Sequence, residues 1–179
     1  MKQLIVAVAV MLAAGLSAGT TVDSSATPAT PALRLSNAQP SLDELVEKFR
    51  QAVVAKDKQA LHSLRVTQDE YLGIILPGSI APGEPRGPAY KEDAQQYFWG
   101  LLNGKSIYSE AGLLSEWGGR SFRITKIQFH KGVERYADYK AYRRLVLTVE
   151  DDAGHVDVIR TGSVAEIDGQ FKFISFIRD

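Results

Sequence analysis

The chain contains no cysteine. A disulfide framework is therefore excluded, as is a lipid anchor on a cysteine after the leader, and stability has to come from packing alone. Charge of one sign is also missing. Basic and acidic residues balance at 21 each, which removes the electrostatic case for nucleic acid or an anionic membrane. Beyond the first residues, no segment approaches the roughly 18–20 continuous apolar residues of a membrane helix. There is no Gly-rich phosphate loop after a strand, no nucleophile elbow and no HExxH. Only three histidines occur, His62, His130 and His155. His155 has an acid two residues on, Asp157, which alternation puts on the same face. A metal needs three or four convergent ligands, so neither a metal nor another cofactor is expected.

What is present begins with a leader. Lys2 gives a positive start, Leu4 to Leu16 is a short apolar run, and Ser17-Ala18-Gly19 offers small residues for cleavage. Residues 1–19 read as a signal peptide, which implies export to a periplasmic or extracellular space. Residues 20–40 are rich in Thr, Ser, Ala and Pro without a hydrophobic period and read as a disordered spacer. Residues 41–179 are one domain by length.

The domain opens with helices. Ser41-Leu42-Asp43-Glu44 has capping-box spacing. Leu42, Leu45, Val46, Phe49 and Val53 then recur at helical spacing. Asp57 starts a second short helix, and Thr67-Gln68-Asp69-Glu70 repeats the capping-box pattern. Gly73 weakens the segment that follows, so Tyr71 to Leu76 reads as a helix or a short strand. Pro77 to Pro88 holds four prolines and three glycines. No helix or central strand crosses such a stretch, and it is a candidate lid over a pocket. A longer helix starts near Ala89, with Tyr90, Ala94, Tyr97, Leu101 and Leu102 on one side. Gly104 is expected to interrupt it before Gly118-Gly119 stops it.

The last third is strand-like. Phe122 and Ile124 alternate, and Ile127 and Phe129 resume with shifted parity, which predicts a β-bulge near Thr125-Lys126. Leu145, Leu147 and Val149 share one face of the next strand, and His155 to Ile167 reads as a long third one. Asp168-Gly169 is a type I′ hairpin signal. It sets Ile167 opposite Gln170, Val164 opposite Phe173 and, extrapolated, Arg160 opposite Ile177. One face then carries Val156, Val158, Arg160, Val164 and Phe173. The other carries Ile159, Thr161, Ser163, Ala165 and Ile167. Both are substantially apolar, so the second face needs cover from another element or from a partner subunit. The fold class is α+β, with N-terminal helices packed on a curved antiparallel sheet of about four or more strands.

The order of these elements resembles the nuclear transport factor 2-like superfamily. Leu45, Phe49, Val53, Lys56-Asp57 and Ala60-Leu61 carry the resemblance at the front. Val146 to Glu150, Ile159 to Ile167, Asp168-Gly169 and Phe171 to Ile177 carry it at the back. The resemblance implies a cone whose sheet wraps the first helix around a cavity, frequent dimers through the outer sheet face, and ligands inside the cone. Thr161, Ser163 and Ala165 are compatible with such a homodimer contact. One departure is that Val66 to Pro88 lacks the β-hairpin that many members have there.

Candidate site residues follow from chemistry. Arg160 sits mid-strand in an apolar stripe, where an unpaired guanidinium is costly. It is placed to hold a carboxylate or to snorkel to water. Tyr97, Trp99 and Trp117 form an aromatic group dense enough to line an apolar pocket beneath the proline-rich loop, with Phe49 on the first helix completing it. Asp43, Asp69, Glu70 and Glu110 are the acids available as a general base, although Asp69 and Glu70 also suit the first turn of a helix. Lys131 to Arg144 interleaves three tyrosines with basic residues and reads as a solvated hairpin connection. The leading expectation is a non-enzymatic module for a small apolar or weakly acidic ligand or a protein partner. The alternatives are a small isomerase, dehydratase or cyclase using a buried acid, or a purely structural dimerisation domain with a filled cone.

Overall fold

The computed structural model describes residues 34–178. The leader assigned to 1–19 lies outside the described residues. Helices come first: α1 (Leu42–Val54), α2 (Lys58–Ser63) and α3 (Gln68–Glu70). A π-helical stretch (Tyr71–Ile75) runs straight on into α4 (Leu76–Gly78), and α5 (Glu92–Trp117) is the long helix. Seven strands follow: β1 (Phe122–Phe129), β2 (Val133–Arg135), β3 (Lys140–Tyr142), β4 (Leu145–Asp151), β5 (Val156–Arg160), β6 (Val164–Ile167) and β7 (Gln170–Phe173). They form two antiparallel sheets, ordered β1-β4-β5 and β2-β3-β6-β7. The fold is α+β, helices before strands.

Local chemistry sets the helix starts. Ser41 Oγ accepts from the Glu44 amide at 3.1 Å, and Asp57 Oδ1 accepts from the Ala60 amide at 2.8 Å. At Thr67 the capping box is reciprocal, with the Glu70 carboxylate accepting from the Thr67 amide at 2.7 Å. Gly73 does not turn the next segment into a strand. Instead the helix widens by one residue, so that the Leu76 amide bonds the Tyr71 carbonyl. Gly104 does not break α5 either. A helical glycine costs about 1 kcal/mol, and the burial of Leu113 and Trp117 farther along outweighs it.

The strand features hold where they are local. The β1–β4 register shifts between Ile124 and Lys126, at the bulge the parity change marks. Asp168 and Gly169 have φ of 49° and 74°, and Ile167 pairs Gln170 while Val164 pairs Phe173. The strand expected over His155 to Ile167 is not continuous. It breaks at Thr161-Gly162-Ser163, where the chain leaves one sheet and enters the other. Arg160 therefore pairs Val146 of β4, not Ile177. Lys131 to Arg144 is more than a solvated connection. It contains the β2–β3 hairpin, and Tyr139 and Ala141 are buried.

Two apolar clusters explain why both faces of the last hairpin are apolar. Val164 and Phe173 pack with α1 residues Leu45, Phe49 and Val53 and with Leu145, Leu147 and Ile159. On the other side, Ala165 and Ile167 pack under Leu35, Val66, Ile74, Ile75 and Tyr139. The second face is thus covered by the π-helical stretch together with Leu35 and Val66 of the same chain. Thr161 and Ala165 are buried inside the chain, so the Thr161–Ser163–Ala165 surface is not an outer face open to a partner.

Residues 34–40, read as spacer from composition, are joined to the sheet. Gln39 exchanges backbone hydrogen bonds with Phe171 at 2.8 and 2.7 Å. Lys172 Nζ donates to the Ser36 carbonyl at 2.6 Å and to both Glu70 carboxylate oxygens at 3.0 and 2.8 Å. Lys172 is fully buried, so these bonds compensate a charge removed from water.

Candidate functional site

The space between α1 and the sheet is filled. Phe49, Phe173 and Phe176 form a ring cluster with centroids 4.7–5.9 Å apart, and all three are essentially inaccessible to solvent. Phe49 is therefore core. Trp117 is core as well, packed edge-on against Phe122 at 5.6 Å with the Arg120 guanidinium over its ring at 4.2 Å.

The other expected site residues separate. Arg160 is exposed on β5 rather than enclosed by an apolar stripe, because the break at Gly162 carries β5 into the other sheet. Tyr97 points outward from α5 at 66% exposure. Its phase could not be read from a helix that is apolar on several sides. Trp99 is half-buried. Its ring packs tilted against Tyr71 at 5.7 Å, and the Arg65 guanidinium lies over it at 5.7 Å. Phe49, Trp99, Trp117 and Arg160 therefore do not converge on one pocket.

A cleft does lie beneath the proline-rich loop. It has a volume of about 420 Å³ and is walled by Leu72, Leu76, Pro77, Ile80, Pro88 and Tyr90. The widened π-helical turn and α4 supply Leu72, Leu76 and Pro77, and the loop supplies the rest. The loop is tied down at two points. The Ala137 amide donates to the Ile80 carbonyl at 2.9 Å, and Arg86 Nη2 bonds both Asp138 carboxylate oxygens at 2.6 and 2.7 Å. Gly78 makes room for that arrangement, since a Cβ there would come within 2.9 Å of the Asp138 side chain. The polar groups at the cleft are already engaged. Ser79 Oγ bonds Tyr139 Oη and the Ile75 carbonyl at 2.6 Å each, and Gln95 Nε2 donates to the Tyr90 carbonyl at 2.8 Å. Burial pushes the Tyr139 hydroxyl up to about 12, against a smaller opposing effect of Ser79. It stays protonated at neutral pH. The cleft thus offers apolar walls, with Arg86 and the Gln95 carbonyl oxygen at its edge.

A second cluster involves Glu110, one of the acids noted from sequence. Trp99, Asn103, Ser106 and Glu110 recur along one side of α5 at helical spacing. Glu110 is fully buried. Its carboxylate accepts from Arg65 Nε at 3.2 Å and lies 3.3 Å from His62 Nδ1. Arg65 Nη2 also donates to Asn103 Oδ1 at 2.7 Å. Burial lowers the Arg65 pKa and Glu110 raises it back in part, but an arginine remains charged either way. A histidine held on a buried carboxylate can act as a general base. Here the carboxylate is already committed to Arg65, and the cleft under the loop does not reach His62. The pair joins the end of α2 to the middle of α5.

A wider groove of about 730 Å³ runs between α1 and β1. Three of its charged residues are already paired, Arg50 with Glu47 at 2.7 Å and Arg123 with Glu150 at 2.6 Å. Among the described residues, no three His, Asp or Glu side chains converge as a metal site, and no helix is long and apolar enough to cross a membrane. Tyr97, Trp99, Trp117 and Phe49, the aromatic group expected beneath the proline-rich loop, do not line this cleft. The signal available was the apolar spacing Leu72–Leu76 running directly into Pro77. Comparison with protein-family models, with curated proteins and with solved structures found no match.

Proposed function

We propose that this chain is an exported, non-enzymatic binding module that holds a small, mainly apolar ligand in the cleft beneath the 79–91 loop. The cleft itself carries this reading. Its volume of about 420 Å³ lies in the range of small-molecule sites, roughly 300–1,000 Å³, and its walls are aliphatic and aromatic with few polar groups. Arg86 at the edge suits a ligand with a weakly acidic end, because its guanidinium keeps donors beyond the one shared with Asp138. The leader sequence supports export. The order of capped helices followed by a bent antiparallel meander supports the nuclear transport factor 2-like resemblance. Because the helix–sheet interior is filled, this reading puts the ligand in the outer cleft rather than inside a cone such as the resemblance implies.

The test is fluorescence titration with 1-anilinonaphthalene-8-sulfonate, an apolar probe with one acidic group. The wild-type chain should bind one equivalent saturably. Tyr90→Ala removes an exposed wall residue without touching the core. It should weaken binding about tenfold, the loss of roughly 1–1.5 kcal/mol of aromatic contact. Leu76→Asp should abolish binding. Unchanged affinity in both variants would sink the reading.

A further inference from the structure

The long helix α5 is inverted. Its buried residues include Ser106, Ser109 and Glu110, while Tyr97, Leu101, Ile107 and Tyr108 stand exposed, Tyr108 at 83%. A surface helix normally turns its apolar side to the core, and a contiguous apolar face left open marks an interaction site. Gly100, Gly104 and Ala111 lie exposed between these side chains, and a Cβ added at Gly100 or Gly104 would meet nothing within 4 Å.

The spacing of large and small residues is self-complementary. When a second α5 is laid antiparallel with the two-fold axis at Gly104, Tyr97 meets Ala111, Gly100 meets Tyr108, and Leu101 meets Ile107. Gly104 meets itself. Each tyrosine falls on a small residue, and the axis falls where the backbones can approach closest. A two-fold interface requires this kind of self-match. We infer that α5 is the seam of an antiparallel homodimer centred on Gly104.

The exposed area agrees with a second copy as the occupant. These side chains expose on the order of 500 Å² per copy, about 1,000 Å² for the pair, which is the size of a weak, exchanging interface. A lipid surface fits less well, because Lys105 is the only cation on α5 against four acids and interfacial helices carry basic flanks.

The cysteine-free chain allows a direct test. In the full-length protein, Gly104→Cys should oxidise to a covalent dimer as the major species, because position 104 faces itself. Ser115→Cys, on the same stripe, should not, since the antiparallel register sets it against Asp93. Sedimentation equilibrium should show a monomer–dimer exchange in the wild type. Gly104→Arg should be monomeric, with a melting temperature no lower than wild type, because an exposed helical glycine has been replaced. Cross-linking at both cysteines would mean a parallel seam and overturn the register. A wild-type monomer at all concentrations would overturn the dimer, as would a Gly104→Arg variant that still dimerises. A monomer that cosediments with phosphatidylcholine vesicles would assign the face to lipid and overturn it too.

Discussion

Gly162→Ala should cost at least ~3 kcal/mol, lowering Tm by about 10 °C. The reason is space. A Cβ at this position would overlap the Ser175 carbonyl oxygen and lie 2.6 Å from the carbonyl carbon. Both partners are main chain, so no flexible side chain can move aside. Gly162 is also where the chain passes from β5 to β6. Its carbonyl accepts from the Leu145 amide at 2.9 Å, and the Thr161 amide donates back to Leu145 at 2.9 Å. The Ser163 carbonyl accepts from Ile174 at 2.7 Å. Moving one neighbour therefore disturbs the edge contacts of both sheets. Calorimetry on the purified variant measures the loss. A Tm within a few degrees of wild type would mean that the bend is not this tight.

The second large effect concerns Lys172. Replacing it with methionine keeps most of the apolar stem but leaves the buried Glu70 carboxylate without its cation. Breaking a buried pair in this way costs roughly 3–5 kcal/mol. Adding Glu70→Gln should recover part of it, because the stranded charge is then gone. The effect is pH-dependent with a definite sign. Burial pushes the Glu70 carboxyl up, but hydrogen bonds from Lys172, Thr67 and Ser36 outweigh it and hold the pKa below the usual 4.5. The folded value lies below the unfolded one. The contribution is therefore fully present above about pH 4.5 and is lost as pH falls through the depressed value. Lys172→Met should differ most from wild type near neutral pH, and the gap should close in acid. Urea midpoints at several pH values measure this. A gap that widens below pH 4.5 would contradict the assignment.

The legible parts of the fold were those decided within a few residues. Ser41, Asp57 and Thr67 start helices because a side-chain oxygen reaches an amide three positions on. Asp168-Gly169 fixes a register because the turn demands positive φ at both positions. The parity change at Thr125 marks the bulge directly. Arg160 differs from its expected place because the hairpin register ends at Gly162, and nothing local to that glycine reveals that a carbonyl from Ser175 lies against it. Tyr97 was misplaced for a different reason: α5 is apolar outside and partly polar inside, so periodicity gives no phase. Lys172 reaches Glu70 and Ser36 across distant stretches of chain, so neither partner shows in its local sequence. The cleft itself was half legible. The proline-rich stretch announced a loop, but its floor depended on a helix widening at Gly73 that composition does not announce.

The proposed function puts the ligand in the outer cleft, and not in the filled interior between α1 and the sheet. Amide chemical shifts followed during titration with 1-anilinonaphthalene-8-sulfonate test it most directly. Saturable shifts are expected, confined to residues 72–80 and 86–95. Shifts centred on Phe49, Leu147 and Phe173 would contradict it, and so would no saturable shift at all.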